Sequence, residues 1–305
     1  MTHRPIEALT TNTPHGPVQY LDQGSGTPVL VIHGSPGGCD QGSLMAEFLV
    51  SAGFRAIIPS RPGYLGTPLT PENASIDSQA DAHAELMTSL GLDRFGVLCW
   101  SGGGPSAYRL AVRHPSRVTA LVALAALSNT HHWHEPISER FMFHTTLGKQ
   151  LITLLARRSP KQLIKGTIAA EGRLTRAQLA EQTDSVLADP TRRRMVLELA
   201  PMASQVPPRK SGVNNDKRNF ASIADLELSK IVAPTLLVHG RVDIDVEPSY
   251  SEFAEGRIPD VQVAWVELGG HLCTYLDQDS AEIQARIVAF LRQHANAGVG
   301  EDPTE

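Results

Sequence analysis

Short runs that are apolar at almost every position alternate along the chain with longer segments of helical spacing. Residues 28–32 and 95–100 are continuous apolar runs of strand length, the pattern of strands buried on both faces. Further strands are predicted at 18–23, 54–59, 118–127, 235–239 and 261–268. Helices are predicted between them at 41–52, 76–90, 102–113, 248–257 and 280–294. The second of these stops at Gly91 and the third at His114-Pro115. Such alternation implies an α/β, doubly wound and mostly parallel sheet with helices on both faces. It is interrupted once. From 129 to 224 no segment reads as a buried strand; helices are predicted at 141–155, 160–170, 175–188 and 191–200, and the Pro-, Asn- and Lys-rich stretch 205–219 reads as a loop. The expected organisation is a core of 1–128 and 225–294, an inserted helical cap of 129–224, and a polar, disordered tail at 295–305. Ligands of doubly wound sheets bind at the carboxyl ends of the strands. An insertion leaving from one of those ends would cover the site as a lid.

Composition narrows the class. With 305 residues, 41% hydrophobic and 19% charged, the chain can bury a sizeable core and is neither fibrous nor disordered. A net charge of −5 gives no reason to expect nucleic acid as a partner. Residues 1–13 lack an apolar signal region, and no apolar stretch approaches the roughly 18–20 residues of a membrane span. Three cysteines, Cys39, Cys99 and Cys273, are too few and too scattered for a disulfide framework or structural zinc. The expected location is the cytoplasm. Oligomeric state has no signature here. Charge is uneven, however: residues 150–218 hold 13 Lys/Arg against 6 Asp/Glu, with Arg192-Arg193-Arg194 at the centre. These are solvated helix faces, or a device that steers anionic substrates.

The candidate chemistry lies at strand ends. Ser101 sits in Cys99-Trp100-Ser101-Gly102-Gly103, between a predicted strand and a predicted helix. A nucleophile on so sharp a turn has its hydroxyl projected by a strained backbone. Small residues are needed two places before and after it; Gly103 and Cys99 meet that need. The bland alternative is a helix-capping serine. A serine nucleophile needs a base, and the base an orienting acid. His271 follows the strand 261–268 and Asp243 follows 235–239, so both can converge on Ser101, in the chain order Ser, acid, His. Asp245 is the alternative acid, or a carboxylate supporting the first. His33 and His239 each precede a glycine at a strand end and read as loop holders. The loop His33-Gly34-Ser35-Pro36-Gly37-Gly38 supplies a third element. The backbone N–H groups of Ser35 and Gly102 are the expected oxyanion donors, each worth roughly 10²–10³ in rate.

On these pieces, together with Arg61-Pro62-Gly63-Tyr64, His239-Gly240-x-x-Asp243 and Gly269-Gly270-His271, the chain resembles the α/β-hydrolase superfamily over nearly its whole length. The resemblance implies an eight-stranded core with a helical cap after the sixth strand. Haloalkane dehalogenases and epoxide hydrolases use Asp where this chain has Ser101. Prolyl aminopeptidases bind a free amino terminus with cap carboxylates, whereas this cap is basic.

Two cofactor readings carry less weight. Gly102-x-Gly104-x-x-Ala107 resembles a dinucleotide fingerprint, but 121–129 lacks the acidic residue that would hold a ribose. His131, His132 and His134 suggest a metal, but only Glu135 accompanies them. No cofactor and no metal are therefore expected, and the partner is a small-molecule substrate. The expected reaction is hydrolysis of a small or medium carboxylic ester. The alternatives are a C–C bond hydrolase or lactonase with the same triad, and a non-catalytic ligand-binding protein.

Overall fold

The computed structural model describes residues 7–133, 142–203 and 205–295. One sheet of eight strands runs in the order β1-β2-β4-β3-β5-β6-β7-β8. The strands are β1 (Leu9–Thr13), β2 (Gly16–Gly24), β3 (Pro28–Ile32), β4 (Arg55–Pro59), β5 (Phe95–Trp100), β6 (Val118–Leu124), β7 (Thr235–Gly240) and β8 (Val261–Val266). Only β2 is antiparallel to its neighbours; every other pairing is parallel. The doubly wound, mostly parallel sheet is as expected from the pattern. The segment of β1 gave no strand signal because it is a largely exposed, polar edge strand that pairs with β2 on one side.

The continuous apolar runs are explained by two core layers. Leu30 and Ile32 of β3 point into one layer, with Ala80 and Leu86 of α2 (Ile76–Ser89) and Leu110 of α3 (Gly104–Arg113). Val29 and Val31 point into the other, with Leu44 and Leu49 of α1 (Cys39–Ser51) and with Ile287 and Leu291 near the C-terminus. Both faces of the central strands are covered, so no polar alternation survives in the sequence.

The chain leaves the sheet after β6 and returns to it at β7. In between lies the inserted helical region 142–203, with α4 (Thr146–Arg158), α5 (Pro160–Glu171), α6 (Arg176–Ala188) and α7 (Pro190–Leu199). Thr175 and Gln178 form a reciprocal capping box at the start of α6, and Asp189 caps α7 ahead of Pro190. Ile164, Ile168, Val186 and Val196 give this region a small core of its own.

One expectation is corrected. The stretch 205–219, read as a loop, contains most of a helix, α8 (Lys210–Ala221). Its buried residues, Gly212, Val213, Asn215, Asp216 and Phe220, recur at helical spacing, but polar residues at the inward positions hide the pattern. The remaining helices are α9 (Ser249–Glu255), α10 (Cys273–Leu276) and α11 (Ser280–His294). The polar tail from 296 on, with His134 and Glu135, lies outside the described residues. No helix among the described residues is long and apolar enough to cross a membrane.

Candidate active site

Because β3, β5, β7 and β8 are parallel, the loops that follow them open at one edge of the sheet. They carry His33, Ser101, Asp243 and His271 respectively. Ser101 starts a single 3-10 turn, Ser101–Gly103, that joins β5 to α3. Its φ is +52°, a left-handed conformation that costs a non-glycine residue about 1–3 kcal/mol. Tight packing maintains that strain. A Cβ on Gly103 would lie 2.7 Å from the carbonyl oxygen of His33 and 2.8 Å from that of Ile32. A Cβ on Gly34 would lie 3.2 Å from the Cβ of Ser101. Strand, turn and the loop 33–38 therefore meet without room for a side chain. A Cβ on Gly102 would come 2.3 Å from Ser35 Oγ, so the two expected oxyanion donors are neighbours.

Asp243 and His271 are joined. Asp243 Oδ2 accepts a hydrogen bond from His271 Nδ1–H at 2.8 Å. Asp243 Oδ1 accepts the backbone N–H groups of Asp245 (2.9 Å) and Val246 (3.0 Å). His239 Nε2, 2.8 Å from the Val246 carbonyl, also lies 3.3 Å from Asp243 Oδ2. Burial works against the charge of Asp243, but His271 and His239 outweigh it and hold the carboxyl down at about 2. Burial likewise opposes an imidazolium at His271. The carboxylates of Asp243 and Asp245 prevail and push the ring up to about 9. The Trp100 ring lies 5.0 Å from that of His271, and its Nε1–H donates to the His271 carbonyl at 3.3 Å.

The two candidate acids are thereby told apart. Asp243 is buried and faces Nδ1; Asp245 is exposed, with Oδ2 3.7 Å from His271 Nε2. Among the described residues no hydrogen bond joins Ser101 Oγ to Nε2. Such contacts are often loose without substrate.

A cavity of about 250 Å³ opens over Ser101. Ser35, Gly102, Leu127, Phe220 and Tyr250 line it, and Asp245 and Glu247 give one wall a negative charge. His131 and His132 line it as well; His131 Nδ1 is 2.8 Å from the hydroxyl of Tyr250. Arg192, Arg193 and Arg194 are engaged elsewhere. Arg192 pairs with Asp189, Arg193 reaches the Leu187 carbonyl, and Arg194 pairs with Glu47 and Glu198.

Sequence reasoning missed two acidic residues. Asp216 of α8 is buried and forms a bidentate ion pair with buried Arg61, both contacts at 2.8 Å. Glu171 ends α5 beside Asp243 and His271. Its carbonyl accepts the N–H groups of Ile244 and His271, both at 3.3 Å, and Gly172 bridges to Asp243. Its carboxyl is pushed up to about 8, first by burial and then, against the pull of His271, by Asp245 and Asp243. Neither residue belongs to a motif, and the polar stretch around Asp216 hides the helix that carries it. His33 is a loop holder as expected: Nδ1–H donates to Gly34 O (2.7 Å) and Nε2 accepts the Arg61 N–H (2.9 Å). Burial and the nearby Arg61 keep it neutral.

Comparison with known proteins agrees with this architecture. The family model described as alpha/beta hydrolase fold matches residues 27–276. A solved structure, an alpha/beta hydrolase fold protein from Nakamurella multipartita, superposes with a TM-score of 0.91. It is 46% identical, over 94% of this chain and 99% of that one. The uncharacterized hydrolase YcgS of Bacillus subtilis is 25% identical over 94% of this chain and 99% of its own. The 2-hydroxymuconate semialdehyde hydrolase of Pseudomonas putida is 25% identical over 90% of both. The chain belongs to the alpha/beta hydrolase fold family.

Proposed function

We propose that this hydrolase cleaves small or medium carboxylic esters in two steps, through an acyl-enzyme on Ser101. The observation that carries the reading is the strained Ser101 turn at the floor of a cavity that Ser35 and Gly102 also line. Ser101 Oγ attacks the carbonyl carbon while His271 Nε2 takes its proton. Asp243, bonded to Nδ1, fixes the ring and stabilises the imidazolium. The N–H groups of Ser35 and Gly102 receive the oxyanion. The imidazolium then protonates the leaving alcohol, and water repeats the cycle on the acyl-enzyme.

The test is a panel of p-nitrophenyl esters, lactones and vinylogous diketones with wild-type protein and Ser101→Ala, alongside a fluorophosphonate probe. Ester turnover and probe labelling are expected in the wild type and absent in Ser101→Ala. Turnover confined to the diketones would replace this reading with carbon–carbon bond hydrolysis. Similarity to the Pseudomonas putida enzyme keeps that class in the panel. Equal labelling of both proteins would remove Ser101 from its role.

A further inference from the structure

Behind the oxyanion loop lies a buried ion pair that the proposed reaction does not use. We propose that Asp216, carried by α8, is a positioning residue for the oxyanion hole: through Arg61 and the Ser35 hydroxyl it holds the Ser35 backbone N–H beside Gly102. This inference rests on the ester-hydrolase reading.

The hydrogen bonds around Asp216 converge on one loop. Its Oδ2 accepts from Ser35 Oγ–H at 2.5 Å, from Tyr64 Oη–H at 2.6 Å and from Arg61 Nη2–H at 2.8 Å; its Oδ1 accepts from Arg61 Nη1–H. Arg61 in turn donates to the carbonyls of His33 (3.2 Å) and Gly34 (3.0 Å) and to Ser35 Oγ (2.6 Å). One guanidinium thus grips three consecutive loop residues, and one carboxylate grips the guanidinium. The Ser35 hydroxyl accepts from Arg61 and donates to Asp216, so its orientation is fixed from both sides. Charged partners in a water-free setting make such bonds strong.

The same helix reaches the other half of the hole. α8 docks where Gly212 N–H donates to the Gly63 carbonyl at 2.9 Å. A Cβ on Gly212 would lie 2.3 Å from the Tyr64 ring, so this approach admits glycine only. One turn on, Asp216 meets Ser35. One further turn on, the Phe220 ring lies 3.0 Å from where a Cβ on Gly102 would be. Asn215 and Asn219 fasten the helix to the Ala74 carbonyl at 2.7 and 2.8 Å. A single helix therefore sets both walls against which the two N–H donors are placed. Ser35 supplies its N–H to the reaction, whereas its hydroxyl is the tether.

Ser35→Ala separates these roles, because it keeps the N–H and the Arg61–Asp216 pair and removes only the tether. The readouts are kcat and KM for a neutral p-nitrophenyl ester and for its thiono analogue, whose sulfur accepts hydrogen bonds poorly. A donor displaced by about 1 Å forfeits on the order of 10²-fold in rate. Ser35→Ala is therefore expected to lose roughly 10- to 100-fold in kcat with KM little changed, and its oxo-to-thiono rate ratio should fall in parallel. Asp216→Asn should lower the same ratio, and adding Ser35→Ala to it should cost little more. A merely structural role would reduce the active fraction and leave the ratio alone. An unchanged ratio in Ser35→Ala overturns the inference even if Asp216→Asn does not fold. Wild-type protein inert to esters and to the fluorophosphonate alike would sink the ester-hydrolase reading itself.

Discussion

The substitution Asp245→Asn tests the electrostatics of the site most directly. In the proposed reaction His271 must be neutral at Nε2 to take the Ser101 proton, yet its ring is pushed up to about 9. The charges facing it are Asp243 on Nδ1, Asp245 near Nε2 and the carboxyl of Glu171, with His239 behind Asp243. Activity in the wild type should therefore rise with pH toward about 9, not level off near the ordinary histidine value of about 6.5. Asp245 sits 3.7 Å from Nε2. At that distance a unit charge is worth about 1 kcal/mol in a water-like dielectric and about 4 kcal/mol at an effective constant of 20. The Asp245 side chain is 63% exposed, which favours the lower figure. One kcal/mol corresponds to somewhat under one pH unit, so the midpoint in Asp245→Asn should fall to roughly 8. The assay is kcat/KM for a neutral ester between pH 6 and 10, corrected for spontaneous hydrolysis. The plateau should remain high, because Asp243 still orients the ring. Asp243→Asn should instead depress the whole profile by on the order of 10⁴. A wild-type midpoint near 6.5, or no shift in Asp245→Asn, would refute the reasoning. An upward shift would show that its sign is wrong.

Three further outcomes follow from the same geometry. The raised His271 value contributes stability that is present below its ordinary 6.5 and lost as pH rises through about 9, and the buried Glu171 carboxyl costs the fold stability as pH rises from its ordinary 4.5 to about 8. The thermal midpoint should thus decline as pH rises from about 5 to about 9, less steeply below about 8 in Glu171→Gln; parallel curves would contradict this. At the acid end, the lowered Asp243 value contributes stability that is present above its ordinary range and lost as pH falls toward about 2; it is the same ion pair seen from its other partner, and Asp243→Asn should flatten that limb. Finally, Asp245 and Glu247 face the cavity while Arg192 and Arg194 are paired elsewhere. A carboxylate-bearing ester should therefore be a poorer substrate than a neutral one of similar size, and charge reversal at Arg192 to Arg194 should leave their ratio unchanged. A salt-sensitive preference for the anionic ester, abolished by that reversal, would restore the steering role of the basic helix.

What the sequence disclosed, and what it hid, divides along the range of the interactions involved. Strands β3 and β5 were legible because burial on both faces makes their apolar character continuous. The Ser101 turn was legible because strand, serine and helix are adjacent in the chain. β1 was not legible, since an edge strand needs only backbone pairing on one side and β1 buries almost no side chain. Nor was Asp216, which is 181 residues from Ser35 and 155 from Arg61. Its carboxylate gains its partners only when α8 docks at Gly212, and in the one-dimensional pattern it reads as a solvated charge among Asn215, Lys217 and Arg218. Asp245 was visible but ambiguous: two carboxylates two residues apart compete for one histidine, and only backbone geometry decides. The N–H groups of Asp245 and Val246 both bond to Asp243 Oδ1, which turns its other oxygen to Nδ1 and leaves Asp245 at the cavity wall. The Asp243–His271 contact could thus be anticipated from residue order, because order reflects which strand ends converge. Glu171 and Asp216 could not, because they arrive from the inserted helical region and from α8 by packing alone.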